Sequence, residues 1–108
     1  AVDRLWIVRR GKLLLRRIPD QAGQLAGQHE LPRPGDLGRP APEDAPLATR
    51  VRAITHRRIT ERIHRGPPDA TARRRHLVWV PLRELDRITL SGPHRRWISE
   101  LLTDLDRP

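Results

Sequence analysis

The pattern of apolar and polar residues divides this chain into short β-strands, one long loop and a C-terminal helix. Two apolar runs near the start, Leu5 to Arg10 and Lys12 to Ile18, are separated only by Gly11, which predicts a tight β-hairpin. Because these runs are apolar with little alternation, we expect both strands to be buried on both faces. A further brief extended segment is predicted around His29 to Leu31.

A second hairpin is predicted after a loop rich in Pro, Gly and Asp. The irregular loop covers residues 32 to 46, within a Pro-rich stretch that reaches residue 50. The strands of the hairpin are Val51 to Thr55 and Ile59 to Arg65, so His56 to Arg58 should lie at or near its tip. Successive side chains of a strand point to opposite faces of the sheet. In the second strand, one face should therefore carry Ile59, Glu61 and Ile63 and the other Thr60, Arg62 and His64.

The pattern of residues in the remaining third of the chain predicts a polar connection, a strand and two helical segments. The connection covers residues 67 to 75, the strand runs from His76 to Pro81, and one or two helical turns follow. A terminal helix then begins with Ser91 as a cap and Pro93 in its first turn. Its apolar residues recur at spacings of three and four and should close over the sheet: Trp97, Ile98, Leu101, Leu102 and Leu105. This order indicates a single α+β domain over residues 1–108.

Composition adds a basic surface and excludes several chemistries. The 108 residues carry 22 Lys plus Arg against 13 Asp plus Glu, a formal net charge of +9. Because nearly all of these cations are Arg, nucleic acid is the first candidate partner, although an arginine-biased GC-rich genome would explain the charge almost equally well. The absence of Cys excludes disulfides and thiolate metal sites. No apolar run approaches the roughly 18 residues of a membrane span, so we expect a cytoplasmic domain without membrane contact.

Three segments occur in an order that resembles a known family. They are "AGQHELP" at residues 26–32, "ITHRRIT" at residues 54–60 and "WVPLREL" at residues 79–85. They look like the "AGLWEFP", "F-S/T-H-x-x-L/I-T" and "WVPLxEL" segments in the C-terminal domain of the MutY family, adenine DNA glycosylases that act on A opposite 8-oxoguanine. The resemblance spans most of the chain except residues 33–50. One departure is Ile54, where the family commonly has Phe.

The resemblance implies a noncatalytic, Nudix-like domain: a mixed β-sheet packed by a C-terminal helix, with the Nudix helix shortened or missing. It implies that Thr55 contacts the lesion through its hydroxyl, that His56 is a neighbouring donor or orders the loop, and that Ile54 packs beside them. Arg57 and Arg58 would hold the DNA backbone. Further phosphate contacts are expected from three other cations, Arg62, Arg95 and Arg96.

The resemblance also implies what surrounds the domain. The partners would be double-stranded DNA containing 8-oxoguanine and an N-terminal glycosylase domain of the same chain, in a monomeric bacterial protein associated with the nucleoid. We expect this sequence to be a C-terminal fragment of that longer protein, because it starts without Met. No cofactor is expected in this domain, whereas an iron–sulfur cluster is expected in the N-terminal one.

Two alternatives to DNA recognition stay open from the sequence. A degenerate Nudix nucleotide hydrolase would need a helix of metal-binding glutamates. The best register places Asp44 at the first acidic position but Ala53, His56 and Arg57 at later ones, and nearby prolines would break the helix. A protein-interaction domain without DNA contact is the other alternative. The histidines lack ligand spacing, so no metal site is predicted.

Overall fold

The computed structural model describes residues 1–19, 27–67, 74 and 76–105. The predicted polar connection, residues 67 to 75, therefore lies almost wholly outside the described residues. The elements, in chain order, are strands β1 (Val2–Trp6), β2 (Val8–Arg9), β3 (Lys12–Arg17), β4 (His29–Glu30), β5 (Ala48–Ile54), β6 (Arg57–Arg65) and β7 (Leu77–Pro81), and helix α1 (Gly92–Leu105). Two short 3₁₀ helices, Pro34–Leu37 and Leu82–Arg87, complete the described structure.

The strands form two sheets, so the chain is α+β as predicted but is not built on one mixed sheet. In the first sheet β6 is central, with β1 parallel to it on one side and β5 antiparallel to it on the other. In the second sheet β3 is central and antiparallel to β2, β4 and β7. The predicted single strand Leu5 to Arg10 is wrong, because the chain leaves the first sheet at Ile7 and enters the second at Val8.

The apolar core lies on both faces of β3, as the run of leucines predicted. Leu13 and Leu15 pack in the main cluster, together with Trp97, Ile98 and Leu101 of α1. Leu14 points into a second, smaller cluster that contains Leu5, Ile7 and Leu77. Burial of one such side chain contributes roughly 1.5–3 kcal/mol, so α1 is held mainly by Trp97, Ile98 and Leu101 of the predicted apolar face. The prediction is wrong for Leu105, which is 40% exposed at the last residue of α1.

Helix α1 begins differently from the prediction. Ser91 precedes it and its carbonyl accepts the Arg95 amide hydrogen bond at 2.9 Å. However, the Ser91 hydroxyl is buried and makes no hydrogen bond, so the predicted capping by this side chain is wrong. The helical residues before α1 also differ in detail, because Leu82–Arg87 is a 3₁₀ helix that follows β7 directly.

Part of the predicted irregular loop is ordered by one carboxylate. Asp36 lies in the Pro34–Leu37 turn, and its Oδ2 accepts a hydrogen bond from the Arg33 amide at 2.7 Å. Its Oδ1 contacts His76 Nε2 at 2.8 Å, which ties the turn to the start of β7. The sequence predicted an irregular loop here because prolines and glycines are dense, but it could not show this contact across 40 positions.

A network of buried charges connects the first sheet to β4. Arg4 of β1 and Glu61 of β6 are both fully buried. The Arg4 Nε donates to Glu61 Oε1 at 2.6 Å, and its Nη1 donates to the Leu31 carbonyl at 2.9 Å and lies 3.1 Å from Glu30 Oε1. Arg16 of β3 also donates to Glu30, at 2.8 Å. One guanidinium thus joins strands from two sheets.

The same network holds the beginning of α1 and the base of the second hairpin. His94 of α1 is fully buried, and its Nδ1 accepts a hydrogen bond from the Leu31 amide at 3.1 Å. This bond requires an unprotonated Nδ1, which leaves the proton on Nε2, 3.4 Å from Glu61 Oε1. On the other side, Arg52 of β5 lies 2.8 Å from Glu61 Oε2. Glu61 is therefore shared by β1, β5 and α1.

The surroundings of these groups shift their pKa values downward. Burial raises the pKa of Glu61, but the His94 ring and the charge of Arg4 outweigh it and lower this pKa to about 2. The pKa of Glu30 is also lowered, since the opposing charge of Arg4 outweighs its burial. Burial lowers the pKa of His94, and the nearby Arg4 adds to this effect against the two carboxylates. The network is thus stable as two carboxylates, a guanidinium and a neutral imidazole.

We expect Arg4→Met to destabilise the protein severely, because it leaves Glu30 and Glu61 buried without their shared counter-ion. The expected loss in the free energy of unfolding is about 3–5 kcal/mol, measured by urea denaturation. Arg62→Met is the matched control, since Arg62 forms an exposed ion pair worth about 0–1 kcal/mol. Equal small losses in both variants would show that the buried network does not stabilise the fold.

Stability should also decrease steadily as the pH falls. The pKa of His94 is lower in the folded state than its ordinary value of about 6.5, so the unfolded state takes up protons first and stability decreases below that pH. The contribution of Glu61 is complete above its ordinary pKa of about 4.5 and is lost as the pH falls toward about 2. Urea denaturation between about pH 7.5 and 2 measures both, the His94 contribution in the upper part of this range and the Glu61 contribution below about pH 4.5. His94→Gln should flatten the upper part of the curve, whereas His56→Gln, at an exposed site, should not.

Candidate nucleic-acid interface

The hairpin of β5 and β6 ends in a two-residue turn formed by Thr55 and His56. The last paired residues are Ile54 and Arg57. The tip therefore begins one residue earlier than predicted, and Arg57 and Arg58 belong to β6. No Gly, Asn or Asp marks this turn in the sequence, so its position is set by strand pairing and not by turn residues.

The backbone at Thr55 adopts a conformation that its side chain disfavours. Its φ is 54°, in the left-handed region that two-residue hairpin turns usually fill with Gly, Asn or Asp. A β-branched residue is a clear outlier there, and the left-handed conformation costs roughly 1–2 kcal/mol. Such strain persists only where the flanking structure enforces it, and it is concentrated at functional sites. The residue with the predicted lesion contact is thus one of two non-glycine residues with a positive φ among those described; the other is Arg10, with a φ of 51° in the β2–β3 turn.

The five residues predicted to read the lesion lie together at this exposed tip. Directly paired residues share a face of the hairpin, so Ile54 and Arg57 lie on one face. Arg58 lies on the other face, and Thr55 and His56 form the end between them. The Ile54 side chain is 48% exposed, which is the largest exposed fraction among the large apolar residues described. The tip therefore presents a hydroxyl and an imidazole at its end, with Ile54 and Arg57 on one face and Arg58 on the other.

The positive charge of the hairpin is compensated near its base but not at its tip. Arg62 donates to both oxygens of Asp3, at 3.0 and 3.2 Å, and His64 contacts the same carboxylate at 2.9 Å. Burial of Asp3 is outweighed by these contacts, which lower its pKa. In contrast, Arg57 and Arg58 are exposed and have no acidic partner within the part of the chain that the structure describes. The predicted phosphate contact at Arg62 would have to compete with Asp3.

The two cations predicted at the start of α1 have different surroundings. Arg95 donates to the Ile88 carbonyl at 2.7 Å and so connects α1 to the end of the preceding 3₁₀ helix. Arg96 is exposed. The free backbone amides at a helix N-terminus favour a phosphate there. Arg96 is better placed than Arg95 to contact such a phosphate, because its side chain is not already bonded to a carbonyl among the described residues.

The N-terminus of α1 lies toward the same end of the molecule as the hairpin tip. Arg50 of β5 reaches Glu100 in the middle of α1, at 3.6 Å. Two residues nearer the tip, Arg52 shares Glu61 with His94 in the first turn of α1. The residues of β5 that are closer to the turn are therefore also closer to the beginning of α1. The tip and Arg96 can consequently face one elongated anionic partner.

Sequence reasoning missed Arg52 and Glu61 as the residues that anchor this hairpin. The pattern placed Glu61 on the face of Ile59 and Ile63, but a single charged residue in an alternating strand usually faces solvent. The available signal was the presence of Arg4 and Glu61 within the apolar strands "DRLWI" and "ITERI". Only the fold shows that these positions meet.

The residues of the hydrolase alternative do not form a helix. Asp44 lies in the loop before β5, whereas Ala53 is in β5, His56 is in the turn and Arg57 is in β6. Across residues 1–19, 27–67, 74 and 76–105, no group of three or more His, Cys, Asp or Glu side chains is arranged to hold a metal ion. Among these same residues, no helix is long and apolar enough to cross a membrane.

Comparisons with protein-family models and with curated proteins identify no relative of this chain. No protein-family model matches the chain, and no curated protein matches it either. The resemblance to the MutY family therefore rests on the three ordered segments and on the position of "ITHRRIT" at a hairpin tip.

We expect Thr55→Asn to stabilise the protein, because Asn tolerates the left-handed conformation that strains Thr. The expected gain in the free energy of unfolding is about 1 kcal/mol, measured by urea denaturation. Thr49→Asn is the control, since Thr49 is an exposed threonine with strand geometry in the same hairpin. There, Asn should be neutral or destabilising because of its low strand propensity. Loss of stability at Thr55 would show that this turn is not strained.

Proposed function

We propose that this chain is a noncatalytic DNA-recognition domain of an adenine DNA glycosylase, which senses 8-oxoguanine opposite adenine during base excision repair. The observation that carries the proposal is the exposed tip, where a strained Thr55 and His56 form the turn and Arg57 and Arg58 follow it in β6, two arginines without acidic partners among the described residues. Cleavage of the glycosidic bond would belong to an N-terminal domain that carries the iron–sulfur cluster. The corresponding location is the nucleoid of a bacterial cytoplasm.

The chemistry of the lesion suits a hydroxyl at the end of a rigid hairpin. Oxidation converts N7 of guanine from an acceptor into an N–H donor and adds a carbonyl at C8. A threonine hydroxyl can accept from the first and donate to the second, and the His56 side chain offers one further polar group. The exposed Ile54 can pack against a base or sugar beside the lesion, although it cannot stack as the Phe common in the family would.

The arginines beside the turn fit a separate role in holding the backbone. Arg57 and Arg58 point to opposite faces of the hairpin, so they can reach phosphates on either side of an inserted tip. Contacts of this kind position a protein but carry no base information. Loss of either arginine should therefore weaken binding without changing the preference for the lesion.

The alternative of nucleotide hydrolysis is less well supported, since it requires carboxylates on a helix where the chain forms β5 and β6. The alternative of protein interaction without DNA contact leaves the strain at Thr55 and the uncompensated charge at the tip without a purpose. Recognition of DNA uses both features at once, which is why we favour it.

The proposal predicts that Thr55→Ala reduces the preference for 8-oxoguanine, whereas Thr55→Ser retains it. Binding of the 108-residue chain to duplexes with A opposite 8-oxoguanine or opposite guanine is measured by fluorescence anisotropy. The expected loss of preference is about tenfold, the value of one good base contact. Thr49→Ala removes a hydroxyl from the same hairpin far from the tip and should change nothing.

Arg57→Ala and Arg58→Ala complete this test. Each should weaken binding to both duplexes alike and reduce the salt dependence by about 0.9 log units per log of salt for each lost phosphate contact. If the wild-type chain binds both duplexes equally, or if Thr55→Ala weakens both equally, the lesion-reading role of this tip is wrong.

A further inference from the structure

The exposed apolar side chains occur at two opposite ends of the molecule. Among the residues that the structure describes, four large apolar side chains are exposed. Val51 and Ile54 belong to the hairpin discussed above, whereas Val8 and Leu105 lie at the end where β6 terminates. The nine residues of β6 separate these ends by about 26 Å, at the usual rise per residue of a strand. The second pair is not explained by recognition of DNA.

Val8 and Leu105 form part of an apolar groove beside the C-terminal half of α1. The groove has a volume of about 330 Å³ and is lined by Trp6, Val8, Arg65, Leu82, Leu102 and Leu105. A neighbouring groove of about 400 Å³ shares Leu82 and Leu102 and continues between α1 and the Leu82–Arg87 3₁₀ helix as far as Leu90. Together they form one channel along the side of α1, which we name the α1 groove.

The charges near the exposed mouth of the α1 groove are mainly positive. Arg65 is part of its lining. The β2–β3 turn is attached to it by the hydrogen bond from the Leu82 amide to the Gly11 carbonyl at 2.9 Å, and this turn carries the exposed Arg10 and Lys12. Asp86 lines the far part of the groove. Asp104 of α1 is about 200° around the helix from Leu102 and so points away from the groove.

We propose that the α1 groove binds an amphipathic helix of a partner protein, with apolar residues on one face and acidic residues beside them. A channel walled by two helices and floored by Leu, Val and Trp suits the apolar face of a third helix. The cations at its mouth select acidic flanking residues, because opposite charges steer and orient such partners. At the far end of the channel Asp86 and Arg95 both belong to the lining, so their opposite charges offset each other and the selection for acidic residues comes from the mouth.

Two other occupants fit the α1 groove less well. A second copy of this chain would bring another +9 charge and place Arg65, Arg10 and Lys12 near their own counterparts. DNA would find cations at the mouth but gains nothing from an apolar floor. The exposed mouth of this groove, at Val8 and Leu105, lies at the opposite end of the molecule from the hairpin tip, whereas its far part reaches Leu90 and Arg95 near the beginning of α1.

The experiment uses three fluorescein-labelled peptides of roughly 18 residues with the 108-residue chain in the absence of DNA. The first peptide has Leu on one helical face and Glu beside it, the second replaces Glu by Lys, and the third scrambles the first. Anisotropy measures affinity, and NMR chemical-shift changes locate the site. We expect the acidic amphipathic peptide to bind best and to shift Val8, Leu82, Leu102 and Leu105.

Variants on the two ends of the molecule separate specific from general binding. Leu105→Asp and Arg65→Glu should each weaken the acidic peptide by about tenfold, whereas Val51→Asp, an equally exposed apolar position on the hairpin, should not. Arg65→Glu should also reduce the discrimination against the Lys peptide. Thermal denaturation checks that each variant is folded, and a variant that unfolds is replaced by Leu102→Ser or Arg65→Gln.

Several outcomes would overturn the proposal. They are equal affinity for the acidic, basic and scrambled peptides, shifts confined to the hairpin, or no detectable binding. Dimerisation of the wild-type chain that Leu105→Asp abolishes would assign the α1 groove to a second copy instead. None of these measurements involves DNA, so failure here leaves the lesion-reading proposal untouched.

Discussion

The buried carboxylate of Glu61 is the point on which the arrangement of the molecule depends. It accepts from Arg4 of β1, lies against Arg52 of β5 and faces His94 of α1, while its own backbone belongs to β6. Moving such a charge out of water costs several kcal/mol, which only close and well-oriented partners can offset. Apolar packing could hold these elements at many relative positions. The Glu61 contacts with Arg4, Arg52 and His94 are kept only where these elements hold their present positions.

This constraint extends outward from the core to the hairpin tip. Strained turns persist where neighbouring strands enforce them, and the strands that enforce Thr55 are fixed at their base by Arg52 and Glu61. A site on a rigid element holds its groups more accurately than one on a free loop. The network therefore links the stability of the fold to the geometry of the candidate site, because a loosened hairpin base would let the turn relax and move the Thr55 hydroxyl.

Local patterns in the sequence were sufficient for much of the fold but not for its assembly. The spacing of apolar residues predicted α1 and its buried face, and the leucines of β3 predicted burial on both sides, since these properties depend on neighbours in the chain. The division of the first apolar run at Ile7 depends instead on pairing of Trp6 with Arg65, which are far apart in sequence. The Arg4–Glu61 pair spans 57 positions, and the two residues looked like ordinary solvent-facing charges.

The position of the candidate site at a hairpin tip was predictable from the sequence, but its conformation was not. The segment "ITHRRIT" indicated the correct end of a hairpin because it lies between two strand-like runs. The exact register, with Arg57 already in a strand, follows from seven pairs of residues between β5 and β6. The positive φ of Thr55 results from that register, since a two-residue turn must reverse the chain with whatever residues occupy it.

The surroundings of the arginines bear on two explanations for the arginine content, a biased genome and a use for the charge. A biased genome would supply arginines without regard to their surroundings, and it is a sufficient explanation for many exposed ones. It does not explain Arg4, which is fully buried and would be replaced there by an apolar residue unless its charge had a use. Nor does it predict that Arg62 has a carboxylate partner while Arg57 and Arg58, four to five residues away, have none within the described chain. The contrast between Arg62 and the two arginines at the tip leaves Arg57 and Arg58 available for the phosphate contacts that the proposed function requires.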